Sequence, residues 1–176
     1  MTARKSVYLA SPLGFAHSTN AFMLQLVEAV GQHVDILNPW DDRRFEDEFA
    51  TLAREDSFHR RSARLNEINR ELARSNVASI ERADGLFAVL DGVDVDSGTA
   101  AEIGYAFARG KRVYGLRTDF RLAGDNHGAI VNLQVQYFIE ASGGRIVTAL
   151  SDLVECARDF AASAEEDRTP DQAERS

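Results

Sequence analysis

The stretch Asp94-Val-Asp-Ser-Gly-Thr-Ala-Ala-Glu-Ile-Gly-Tyr-Ala-Phe-Ala-Arg-Gly-Lys sets two carboxylates, Asp96 and Glu102, around the start of a run of small and apolar residues. It reads as a turn opening a helix, with Gly110 placed to end it. A helix dipole favours negative charge in about its first turn, and Gly98, Ala100, Ala101 and Gly104 leave room for a ligand to approach. Spacing alone leaves two readings open. Either a carboxylate faces a ligand, or Asp96 or Ser97 caps the helix and Glu102 lies on its wet face.

Other chemistries fit poorly. The glycine and lysine spacings of a dinucleotide fingerprint or a P-loop are missing. A calcium loop counted from Asp91 brings Glu102 to its last ligand position, but Val93 and Val95 fill ligand positions and Asp96 stands where glycine is required. His17, His33, His59 and His127 lack metal-ligand spacing, and Cys156 is the single cysteine, so no metal or other cofactor and no internal disulfide is expected.

The elements that must hold these residues alternate along the chain. Residues 6–10 form a short apolar run broken by Ser11-Pro12, a buried strand feeding a loop; 20–30 has helical spacing; 33–37 is a second strand stopped by Asn38-Pro39. The most charged part, 41–64, is expected as an exposed excursion with helical pieces, a solvated surface or a lid. Helical spacing resumes over 65–82. A buried strand follows at 85–90, then the helix of the Asp96 stretch, a strand at 112–116 and a last helix at 151–162. This rhythm implies an α/β fold with a parallel sheet covered on both faces, whose ligands bind at the carboxyl ends of the strands, where Ser11-Pro12 and residues 91–98 fall.

The length of 176 residues fits one domain, expected over 1–164, followed by a disordered polar tail over 165–176. A net charge of -8 argues against nucleic acid or an anionic membrane as partner and favours a small neutral or weakly charged ligand. The first residues, MTARKSVYLASP, lack a long apolar core, and no run is long enough to span a bilayer, so a cytoplasmic protein is expected.

Four segments taken together, Val7-Tyr-Leu-Ala-Ser-Pro, Ala83-Asp-Gly-Leu-Phe-Ala-Val-Leu-Asp-Gly, Asp96-Ser-Gly-Thr-Ala-Ala-Glu-Ile-Gly-Tyr-Ala and Val131-Asn-Leu-Gln, resemble the nucleoside 2-deoxyribosyltransferase family in content and order. The Asp-x-Gly-x-x-x-Glu element is the most specific of them. The resemblance implies a flavodoxin-like three-layer sandwich with a central parallel sheet. It also implies transfer of 2-deoxyribose from a purine or pyrimidine deoxynucleoside to another base through a covalent glycosyl-glutamate, with Glu102 as nucleophile.

The other roles follow from the same resemblance. Asp84 is expected as the base-side acid or donor, Asp96 in the sugar-side network, and Tyr8 orienting Glu102. Ser11, Pro12 and Gly98 are expected around the substrate, with Phe15 stacking on the base. Asn132 is expected to reach the sugar 5′-hydroxyl of a neighbouring subunit, with Gln134 beside it, which implies a homo-oligomer. Two alternatives stay open: hydrolysis of a deoxynucleoside 5′-monophosphate, for which Ser97, Thr99 or Arg117 would serve the phosphate, and a non-catalytic nucleoside or nucleotide sensor.

Overall fold

The computed structural model describes residues 4–122 and 126–163, so the expected tail over 165–176 lies outside the described residues. Five strands, β1 (Ser6–Ala10), β2 (Asp35–Leu37), β3 (Gly85–Val89), β4 (Arg112–Leu116) and β5 (Ile146–Val147), form one sheet in the order β2-β1-β3-β4-β5. Every neighbouring pair is parallel. All strands therefore end on the same edge, and the reversal of strand order between β1 and β3 opens a crevice there.

Alternation along β1 and β3 divides the core in two. Val7, Leu9, Phe87 and Val89 face α1 (Asn20–Val30) and α6 (Leu150–Ala162), where Leu26, Val30, Leu153 and Phe160 complete one cluster. Tyr8, Ala10, Leu86 and Ala88 face the opposite layer, α3 (Phe58–Arg82), α4 (Ser97–Ala108) and α5 (Leu133–Ala141), through Ile80, Ile103, Val135 and Ile139. This is the expected flavodoxin-like three-layer sandwich. Its registers fix the site: Tyr8 pairs with Leu86 and points into the layer that holds α4.

Several elements depart from the sequence reading. The charged region holds helical pieces as expected, α2 (Glu46–Leu52) and the first turns of α3, but α3 begins at Phe58 and not near residue 65. Ser57 caps it by accepting from the Arg60 N–H, and Arg64 pairs with Glu67 one turn on at 2.9 Å, so mixed charges support a helix whose apolar spacing is weak there. Buried Phe45 anchors the excursion. β5 is only two residues long and α5 nine, too short for a periodic signal. Gly110, at φ +70°, ends α4 as expected. Gly144 carries the turn between α5 and β5, where a Cβ would stand 1.7 Å from the Val113 carbonyl oxygen.

Candidate active site

A cavity of about 300 Å³ opens at the carboxyl edge of the sheet. The segment after β1 supplies Ser11 and Phe15, the segment after β2 supplies Pro39 and Trp40, and α4 with its cap supplies Asp96, Gly98, Thr99 and Glu102. Leu72 and Asn76, one turn apart on α3, close the remaining side.

Asp96 is the N-cap of α4: its Oδ2 accepts the Thr99 N–H at 2.9 Å and the Thr99 hydroxyl at 3.3 Å. The capping carboxylate thus takes the positive helix end for itself. Glu102, nearly two turns beyond that cap, gains little from the dipole. It is held instead by side chains. The Tyr8 hydroxyl donates to Glu102 Oε1 at 2.6 Å, and Asn76 Nδ2 donates to the same oxygen at 3.4 Å. Glu102 is half-buried, neither on a wet face nor in the core.

Its titration reflects that position. Burial pushes the Glu102 carboxyl above its ordinary range, the Tyr8 bond opposes the shift, nearby Asp96 reinforces it, and Asn76 weakly opposes it. The tyrosine responds in kind: burial, then its bond to Glu102, holds the Tyr8 phenol far above its usual value, so it remains a donor. The outcome is a partly desolvated carboxylate with one oxygen fixed by two donors, facing a cavity with one apolar wall.

The apolar wall is built around Trp40. Its Nε1–H donates to the Ser11 carbonyl at 2.8 Å, and its ring meets Phe15 edge to face with centroids 4.6 Å apart. Gly14 lies flat against the indole, where a Cβ would come within 2.0 Å of Cδ2. Phe15 is 76% exposed and so free to cover a ligand.

The loop between β3 and α4 is tied to β4. Arg117, 2% exposed, donates to the carbonyls of Leu90 at 2.5 Å, Gly92 at 3.2 Å and Arg121 at 2.8 Å. Asp91 returns the connection by accepting from the Thr118 and Asp119 N–H groups at 2.6 and 2.8 Å. Arg117 is therefore committed to the backbone and does not line the cavity.

Of the residues singled out in the sequence, Tyr8 and Glu102 meet, and Ser11, Phe15, Asp96 and Gly98 line the same cavity. Pro12, half-buried, caps the short 3-10 turn Leu13–Phe15 just behind the wall. Asp84 does not join them in the cavity of its own chain. It sits just before β3, at the amino edge, where its carboxylate accepts from the Ser6 N–H at 2.7 Å and the Ser6 hydroxyl at 3.2 Å. The Val7–Gly85 register sets Asp84 beside Ser6, and the length of β3, roughly 13 Å, separates it from the cavity. Asn132 caps α5 by accepting from the Gln134 N–H at 3.0 Å, and neither residue lines the cavity of its own chain. Sequence reasoning did not assign Pro39, Trp40, Leu72 or Asn76 to the site. The single tryptophan directly after the Asn38-Pro39 stop, at the carboxyl end of a predicted strand, was a usable signal.

Fold and site together define a parallel α/β domain with a partly buried glutamate in an aromatic-walled pocket at the switch point of its sheet. The family model for nucleoside 2-deoxyribosyltransferase matches residues 7–134, and the chain belongs to that family. Among solved structures it is similar to a conserved protein from Enterococcus faecalis V583, at 27% identity over 90% of this chain and 99% of that one, TM-score 0.64. It is also similar to a 2-desoxiribosyltransferase from Leishmania mexicana, at 22% identity over 86% and 97%, TM-score 0.56. A third is the Clostridium botulinum CMP N-glycosidase, at 18% identity over 89% and 99%, TM-score 0.50. No curated protein matches the sequence at a significant level. Among the described residues no helix is long and apolar enough to cross a membrane.

Proposed function

We propose that this protein transfers 2-deoxyribose between nucleobases, with Glu102 as the covalent nucleophile. The observation that carries the reading is the placement of Glu102: partly desolvated, one oxygen held by Tyr8 at 2.6 Å, facing an aromatic-walled cavity that suits a flat base. Glu102 attacks the anomeric carbon as the C–N bond breaks, the bond pair leaving with the base, which takes up a proton. A second base then attacks the same carbon through a ring nitrogen, loses its proton and frees the carboxylate. Two inversions give net retention. In this reading Trp40 and Phe15 stack on the base, Asp96 serves the sugar hydroxyls, and Tyr8 orients the nucleophile.

Two features favour an uncharged nucleoside over its 5′-monophosphate. Asp96 and Glu102 make the cavity anionic, and Arg117, the cation considered for a phosphate, is bound to carbonyls. We further propose that a second copy of the chain lends Asn132. The exposed Leu133 and Tyr137 on α5, next to that cap, supply an apolar face for such a contact.

Incubation with deoxyadenosine and with deoxyinosine, with and without a free acceptor base, tests the reaction. Transfer requires the acceptor, hydrolysis does not, and a sensor yields neither product. Product formed equally without acceptor replaces transferase by hydrolase, and no product from either substrate defeats the enzymatic reading.

A further inference from the structure

A second cavity of about 220 Å³ lies beside the first and shares Pro39 and Asn76 with it. Its lining is polar. Ser75, Ser79 and Arg82 stand at helical spacing on one face of α3, and Asn38 and Asp42 face them from the segment after β2.

The hydrogen-bonding capacity left in this cavity has a definite pattern. Asp42 is taken up by Arg44, whose Nε reaches Oδ1 at 2.8 Å and whose Nη2 reaches Oδ2 at 2.6 Å. Asn38 gives its amide N–H to Asp41 and its carbonyl to the Trp40 N–H, both at 3.2 Å. Arg82 forms no ion pair among the described residues and brings donors only. Asn76 is the hinge of the pattern. Its Nδ2 is directed to Glu102, so its Oδ1 is what remains for a ligand. Turning the amide over would set Oδ1 against the carboxylate, so the charge on Glu102 fixes which end of Asn76 a ligand meets.

We propose that this second cavity reads the outer edge of the base and selects a lactam edge, an N–H next to a C=O, with Asn76 Oδ1 accepting the N–H and Arg82, aided by Ser79, donating to the carbonyl. The matching bases are 6-oxopurines and 4-oxopyrimidines. Their 6-amino and 4-amino counterparts carry the opposite pattern, a ring acceptor against Asn76 Oδ1 and an amino donor against Arg82. The subsite rests on the assignment of the main cavity to a nucleoside.

Calorimetric titration of the full chain with free hypoxanthine, adenine, uracil and cytosine tests it without requiring turnover. Each oxo base is expected to bind about tenfold tighter than its amino partner. Arg82→Gln, at an exposed helix end, and Ser79→Ala are expected to narrow that ratio. Glu102→Gln is expected to narrow it as well, because a neutral amide lets Asn76 turn over. Equal affinities in the unmodified protein, no detectable binding of any base, or a preference undiminished in the Arg82→Gln and Ser79→Ala double variant overturns the proposal. Lactam preference without sugar transfer from any deoxynucleoside refutes the proposed reaction and leaves the subsite standing.

Discussion

Replacing Tyr8 by Phe removes one hydroxyl from a residue whose ring is wholly buried in the sheet, so the fold is kept and the perturbation falls on Glu102. The lost bond, 2.6 Å to Oε1, favours the ionised carboxylate. A hydrogen bond to a charged group contributes about 1.5–3 kcal/mol, and about 1.4 kcal/mol corresponds to one pH unit. The remaining donor, Asn76 at 3.4 Å, makes a longer and weaker bond and compensates little. Burial and Asp96 already hold this carboxyl high, so removing an opposing influence raises it further. The acid limb of the kcat/KM profile for deoxynucleoside cleavage, which reports the free enzyme, is therefore expected to move up by roughly one to two pH units. Near pH 6 the variant should lose far more activity than at pH 8. An acid limb that stays in place or moves down refutes the assignment of Tyr8 as the group keeping Glu102 ionised.

Glu102→Gln should abolish turnover by several orders of magnitude yet leave the protein at least as stable as the parent at pH 7. The sign follows from the raised carboxyl: the folded state holds that proton more tightly than the unfolded chain, so the associated stability is present at low pH and lost as pH rises. Thermal melts at pH 7 and pH 4 check this, with the variant's advantage shrinking at the lower pH. Trp40→Ala should weaken base binding by about 1–3 kcal/mol, read as a higher KM, and Gly14→Ala should act in the same direction because its Cβ displaces the indole. Asn132→Ser keeps a capping hydroxyl on α5 and so isolates any role towards a partner. Mixed with Glu102→Ala chains under conditions of subunit exchange, it should regain activity that neither variant shows alone. An inactive mixture denies Asn132 a role in a partner's site.

The strands β1, β3 and β4 and the helix α4 were legible because each is a short apolar run closed by a turn residue, or a run of small residues between a cap and Gly110. The Asp96–Glu102 spacing showed where a carboxylate would lie, and the structure added what spacing does not contain, the reach of Tyr8 from a neighbouring strand. The place of Asp84 at the amino edge was not legible because a motif places a residue along the chain but not at an edge of the sheet, and the β1–β3 register decides the edge. Asn76 and Leu72 were hidden for a related reason. On a long charged helix nothing local distinguishes the turn that packs over the site from the turns exposed to water. Trp40 gains its role from Gly14 and Ser11, residues far from it in sequence.

The central claim is that Glu102 becomes bonded to the sugar. Rapid acid quench of the protein with a deoxynucleoside in the absence of acceptor base, followed by intact-mass and peptide analysis, tests it most directly. The account predicts an adduct of one deoxyribosyl group on the peptide containing Glu102, absent from Glu102→Gln and discharged when an acceptor base is added. Turnover that proceeds with no such adduct, or an adduct on a different residue, contradicts it.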